Sequence, residues 1–201
     1  MKKNIKKPSV QLVNLYIEEF NKEDEENPKD SSLELLFSSF KENIILEEIY
    51  LKVNAINSLY STNIYDLNKI AKHILKLNID EKILIGDSNI VNEIATGHNI
   101  KSKKSETGTD ISFYSFASKY CSWSNKNQYP IFDSFVEKVL INYRNQKLLN
   151  FKNEDLRNYP EFKNIINTFR NTFGLTVFSY KELDKFLWKF GKKEFSTENN
   201  N

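Results

Sequence analysis

An all-α fold is predicted by three observations on this chain of 201 residues. Glycine and proline are scarce, at 5 and 4 residues, whereas an all-β chain needs turn residues every ~8–12 positions. Large rings are abundant, with 15 Phe and 10 Tyr to fill a core. Apolar residues recur at spacings of three and four, the repeat of a helix with one buried face. The length suits one compact domain or two small lobes sharing a core. About eight to ten helices fit within it.

The elements follow in order. Val10, Val13, Ile17 and Phe20 lie at helical spacing and predict a helix over 10–20. Residues 21–30 are charged and contain Pro28, so they read as a surface loop. Ser31 or Ser32 is placed to cap the short apolar segment that follows. Ile44, Ile45, Ile49, Val53, Ile56 and Tyr60 predict a longer helix over 43–60. The pattern restarts after Ser61 and Thr62, with Asn63 as cap and Asp66 in the first turn, where the helix dipole favours a carboxylate. Asp87 or Ser88 caps a short helix, and Gly97 supplies a left-handed stop. Residues 99–110 are polar, basic and unpatterned, which predicts a flexible loop.

A helix over 112–122 puts Phe113, Phe116, Ala117, Tyr120 and Trp123 on one side. Pro130 forces Tyr129 into extended geometry, and Asp133 caps a helix reaching Tyr143 that buries Phe135, Val136, Val139 and Leu140. Pro160 stands in the first turn of a helix that Gly174 ends. Ser179 and Glu182 form an S-x-x-E capping box ahead of the last helix, which Gly191 closes. The tail from 195 is disordered by composition.

Composition excludes several function classes. Lys and Arg total 29 against 27 Asp and Glu, a formal charge of +2. Any phosphate-binding surface therefore requires local segregation of charge. The single cysteine, Cys121, excludes an internal disulfide framework, a CxxC zinc site and a four-Cys iron–sulfur cluster, and reads as a small buried filler. His73 reads as a surface or rim residue and His98 as a loop residue; no metal site and no cofactor are expected. No run approaches ~18 apolar residues, so no membrane span is expected. The lysines near the start lack a following apolar stretch, so no secretory signal is expected and the cytoplasm is the default compartment.

The informative stretch runs from Ser115 to Leu140. Lys119 lies inside one helix, and Pro130, Ile131, Phe132, Asp133, Ser134, Phe135 and Val136 approach and open the next. Here the sequence resembles the helix–hairpin–helix DNA glycosylase superfamily, nearest to its bacterial 8-oxoguanine glycosylase-like branch. That family places a lysine one turn into the second helix of its hairpin. It then carries a V-D-T-H-V-like motif whose aspartate caps the following helix. Lys119 matches the lysine and Asp133 the aspartate, with Ser134 and Phe135 standing where Thr and His are usual. Residues 55–74 are similar to the family's early helix pair, and the likeness extends over roughly 50–145. Two features depart from it. The family's L-P-G-V-G hairpin finds Phe113, Tyr114, Ser115, Phe116 and Ala117 instead, without glycine. The lysine and aspartate are also closer in sequence by about one helical turn.

The resemblance implies a two-lobed helical domain. Residues 1–44 would pack with a C-terminal lobe at 146–194, and 45–145 would form a helical barrel carrying the active site. It implies a monomeric DNA glycosylase, with or without lyase activity, acting on double-stranded DNA with a flipped-out base. Extrusion costs a few kcal/mol. A lysine attacks the sugar carbon only as the free amine, which burial favours. The carboxylate orients the nucleophile and stabilises the developing positive charge. Phe116, Tyr120 and Trp123 would stack on the extruded base, a contact worth roughly 1–3 kcal/mol. Lys101, Lys103 and Lys104 would contact phosphates.

Each assignment has a structural alternative. Asp133 is an N-cap in any case. Lys119 on an amphipathic helix can bury its methylenes and hydrate its ammonium. The three rings suit a core, and the lysine cluster suits a solvated loop. A weaker basic strip is formed by Lys147, Lys152, Arg157, Lys163 and Arg170, and Lys181, Lys185 and Lys189 on the last helix are further candidates for DNA by charge alone. Two rival functions follow: a catalytically inactive glycosylase-fold protein that binds nucleic acid, and a helical protein-interaction module of a bacterial or mobile-element operon.

Overall fold

A computed structural model of the chain describes residues 4–101 and 111–196. The described residues form ten α-helices and one 3-10 turn, an all-α fold. They divide into two compact units. One is Lys29–Tyr129; the other joins the chain up to Pro28 with the chain from Pro130 onward.

The unit Lys29–Tyr129 holds α2 (Lys29–Ser39), α3 (Leu46–Tyr60), α4 (Leu67–Leu77), α5 (Asp80–Ile85), α6 (Asn89–Ala95) and α7 (Tyr114–Ser124). In α3, Ile49, Lys52, Val53 and Ile56 are buried, a single face at i, i+3, i+4 and i+7. Every residue of α7 from Phe116 to Trp123 is buried, as befits a helix covered on all sides. Phe37 of α2 meets the Tyr120 and Trp123 rings of α7 at centroid distances of 5.6 and 6.3 Å. Such pairs add about 0.5–1.5 kcal/mol beyond area burial. Helix α6 leads back to α7 through a backbone bond from Phe113 N–H to the Ala95 carbonyl at 2.9 Å.

The other unit holds α1 (Val10–Glu26), α8 (Ser134–Asn145), the 3-10 turn Glu154–Arg157, α9 (Tyr159–Thr172) and α10 (Tyr180–Phe195). Tyr16 of α1 sets its ring edge-on to Phe186 and Phe190 of α10, at 5.9 and 5.5 Å. The segment before α1 is tied to α8: the Tyr143 hydroxyl donates to the Lys6 carbonyl at 2.7 Å and Gln146 Nε2 donates to the Ile5 carbonyl at 3.3 Å.

This division differs from the one expected. Helix α2 belongs with α3 and α7, because Phe37 packs on α7 and the Phe40 carbonyl accepts a bond from Lys52 of α3. Helix α8 belongs with α10, which approaches it closely at Gly191. The boundaries therefore fall at 28/29 and 129/130 rather than at 44/45 and 145/146.

Local corrections have local causes. Helix α1 continues through the charged residues read as a loop, because Asn21 and Glu23 bond to Lys185 and Lys189 of α10. Helix α2 starts directly after Pro28, not at Ser31 or Ser32. Asp66 is itself the N-cap of α4, accepting from Lys69 N–H at 3.1 Å, while Asn63 takes a left-handed φ of 58°. Helix α5 was not anticipated; it is short, and buried Ile79 and Ile83 anchor it. Gly191 does not stop the last helix, which runs on to Phe195, itself buried and not part of a disordered tail. Most of the expected loop at 99–110, and residues 197–201, lie outside the described residues. No helix among the described residues is long and apolar enough to cross a membrane.

Candidate functional site

Lys119 sits in the second turn of α7 within the unit Lys29–Tyr129, with 4% of its surface exposed. Its Nζ donates to Ser115 Oγ at 2.6 Å, one turn back on the same helix. It also stands 5.2 Å from the centroid of the Tyr60 ring, at the end of α3. Tyr60 is held in turn: Trp123 Nε1–H donates to its hydroxyl at 3.2 Å, and that hydroxyl lies 3.4 Å from Asp30 Oδ1. An ammonium facing a ring in this way gains about 0.5–2 kcal/mol, more as water is excluded.

Asp133 belongs to the other unit and caps α8. Its Oδ1 accepts from the Phe135 and Val136 amides at 2.8 and 2.9 Å, which satisfies two of the four N–H groups a helix leaves open at its start. The approach is fixed by buried Ile131 and Phe132, and by the Tyr159 hydroxyl donating to the Pro130 carbonyl at 2.7 Å. The sequence-predicted cap thus holds in full, and the carboxylate is partly exposed.

The remaining candidates separate by environment. Phe116, Tyr120 and Trp123 lie on α7 with Lys119 and are buried. Lys101 is exposed, and its carbonyl accepts from the Tyr65 hydroxyl at 3.0 Å. Lys103 and Lys104 fall outside the described residues. The lysines of α10 are engaged within their own unit: Lys189 pairs with Glu23, Lys185 donates to Asn21 Oδ1 at 2.7 Å, and Lys181 lies 3.9 Å from Asp184. Two of the three thus have a carboxylate beside them and the third an amide oxygen.

Sequence reasoning missed a buried polar knot in the unit Lys29–Tyr129. Lys52 is fully buried, and its Nζ donates to the Phe40 carbonyl, the Glu42 carbonyl and Asn43 Oδ1 at 3.1, 2.8 and 2.7 Å. Asn43 is the hub. Its Oδ1 also accepts from the Tyr120 hydroxyl at 2.6 Å, while its side-chain and backbone N–H groups donate to Asp80 at 2.6 and 2.9 Å. Burial pushes the Lys52 amine down to about 8, against the pull of Asp80 and Glu48. The sequence carried one signal: Lys52 lies at i+3 from Ile49 and i−4 from Ile56, inside the apolar stripe.

His98 is likewise buried rather than a loop residue. Its Nε2–H donates to the Ala95 carbonyl at 3.2 Å and its Nδ1 accepts from Ile100 N–H at 3.1 Å, which fixes a neutral tautomer. His73 is half-buried, donating Nε2–H to the Glu93 carbonyl at 2.8 Å. Burial raises the Cys121 thiol well above its ordinary value, so it stays protonated and inert, as a core filler should. Among the described residues no three His, Cys, Asp or Glu side chains gather as a metal site.

These features define an all-helical protein with a buried lysine amine on a central helix and an aspartate-capped helix following it in sequence. The chain belongs to the family HI_0787_N, described as an N-terminal domain, whose model matches residues 12–128. It is also 36% identical, over 157 residues, to an uncharacterized protein of Haemophilus influenzae, covering 77% of this chain and 72% of that protein. No solved structure matches the chain.

Proposed function

We propose that this protein is a DNA base-excision glycosylase with lyase capacity, acting as a monomer in the cytoplasm on duplex DNA with an extruded base. The observation that carries the reading is the Lys119 amine, withdrawn from water on α7, held by Ser115 Oγ and facing the Tyr60 ring. Its place in sequence before the Asp-capped α8 supports the same reading. The reading assigns the nucleophile to Lys119 and the carboxylate to Asp133. The amine nitrogen bonds to the sugar carbon as the bond from that carbon to the base breaks. The base leaves with the bonding pair and takes up a proton. The attached nitrogen then loses a proton, and its lone pair forms a C=N bond as the bond from that carbon to the ring oxygen breaks; the ring oxygen takes up a proton, leaving a protonated imine that borohydride reduces to a stable adduct. For Asp133 the resemblance implies stabilisation of the positive charge that develops on the sugar.

The test is borohydride trapping on duplexes bearing an abasic site, 8-oxoguanine, uracil or an alkylated base. Wild-type protein is expected to form a covalent adduct with at least one of them, and Lys119→Gln to form none. Neither turnover nor adduct on all four substrates would sink the reading.

A second reading is favoured by the absence of glycine from Phe113 to Ala117, where the resembled family has its hairpin glycines: a protein of the same resemblance that binds nucleic acid without chemistry. It is distinguished by salt-dependent duplex binding that Lys119→Gln leaves unchanged.

A further inference from the structure

We propose that Ser115 is a positioning residue for the Lys119 amine, acting together with the Tyr60 ring. This rests on the reading of Lys119 as the nucleophile. The two residues are four apart on α7, so both side chains lie on one face of the helix, and Ser115 Oγ accepts from Nζ at 2.6 Å. A lysine side chain is long and flexible, and a single tether leaves its nitrogen free to swing. The second contact removes that freedom, since Nζ lies 5.2 Å from the Tyr60 centroid on a different helix. The ring is itself pinned through its hydroxyl by Trp123 Nε1–H at 3.2 Å. The nitrogen is thereby located from two directions, by a hydroxyl on its own helix and a ring on another.

Serine is a poor choice for helix stability at this position. Alanine has the higher helix propensity, and the Ser118 hydroxyl bonds to the Ser115 backbone carbonyl, which alanine retains. Removing the hydroxyl also takes an acceptor from a buried amine, which lowers stability whatever the serine's role, so the rate and not the melting midpoint reports positioning. Displacing a reacting atom by about an ångström costs up to ~100-fold in rate.

The experiment compares wild type, Ser115→Ala and Ser115→Thr in two assays. On an abasic-site duplex under single-turnover conditions, Ser115→Ala is expected to slow borohydride-trapped adduct formation by about tenfold or more. Duplex affinity should stay within about twofold, while Ser115→Thr, which keeps the hydroxyl, should recover most of the rate. An unchanged rate in Ser115→Ala, or a Thr variant as slow as the Ala variant, overturns the proposal. The second assay needs no DNA. Reductive methylation with formaldehyde and cyanoborohydride, read at each lysine by peptide mass spectrometry, reports the same amine directly. Release from Ser115 should raise the Lys119 labelling rate at least about threefold in the Ala variant, with other lysines unchanged. Equal labelling overturns the role of Ser115 whatever the DNA assay gives. Altered labelling without any adduct in wild type instead places the failure in the glycosylase reading.

Discussion

Lys52 carries three N–H donors and meets three acceptors, so its ammonium is fully satisfied although none of its surface reaches water. Deprotonation leaves two donors for the same three acceptors. The amine is held at about 8 against 10.5 in the unfolded chain. Between those values the unfolded state binds more protons than the folded one, so the Lys52 contribution to stability rises with pH across that window. Below pH 8 both states are protonated and the contribution is level. The full rise amounts to about 3 kcal/mol. Cys121 and Tyr120 act in the opposite sense, because burial keeps them protonated in the folded state while the unfolded chain loses those protons as pH rises. The comparison must therefore be a difference. Urea unfolding of wild type and Lys52→Met at pH 7, 8, 9 and 10 should show the free-energy gap moving in favour of wild type as pH climbs above 8. A gap that stays constant to pH 10 would mean the amine is not depressed. This knot was illegible in sequence because a lysine in an apolar stripe is affordable only if Asn43 and Asp80 arrive from elsewhere.

At the scale of elements, what could be read was what neighbours in sequence determine. Asp133 caps α8, and Ser179 with Glu182 closes a reciprocal capping box on α10, since both bonds span three residues or fewer. Gly174 ends the turn after α9 with a φ of 64°, a left-handed value that glycine adopts without penalty. Gly191 was misread as another stop because its reason is not local. A Cβ there would stand 2.9 Å from Phe135 Cβ, 3.0 Å from the Phe135 carbonyl oxygen and 3.1 Å from Val139 Cγ2. The glycine is what lets α10 lie against α8. Gly191→Ala gains about 1 kcal/mol of helix propensity but overpacks a backbone contact, which costs about 1–3 kcal/mol. The expected net result is a lower melting midpoint by calorimetry, whereas the same substitution at an open helical site would raise it.

At the scale of the whole molecule, the candidate site was legible only as far as its elements. The helix bearing Lys119 and the cap at Asp133 follow from spacing, and Ser115 is visible as the residue one turn back. Tyr60 is not, because it comes from α3 by tertiary contact. The same limit hid the unit boundaries, since no local pattern places α2 with α7 or α8 with α10. The pairing of α1 with α10 makes a fragment 130–201 incomplete. Without α1, Phe186 and Phe190 lose the Tyr16 ring, Lys189 loses Glu23, and the Asn142 and Gln146 side chains lose the Ile5 backbone. Removing a buried ring costs about 3–5 kcal/mol, a large share of the stability of so small a unit. Fragment 130–201 alone should therefore melt without a cooperative transition by circular dichroism at 222 nm. Adding a peptide of residues 1–28 should restore helical signal and a sigmoidal melt, and the same peptide carrying Tyr16→Ala should not. If the fragment melts cooperatively by itself, α8 to α10 are held by their mutual contacts and α1 is an accessory; if the Tyr16→Ala peptide restores it equally well, the aromatic contact is not what joins the two ends of the chain.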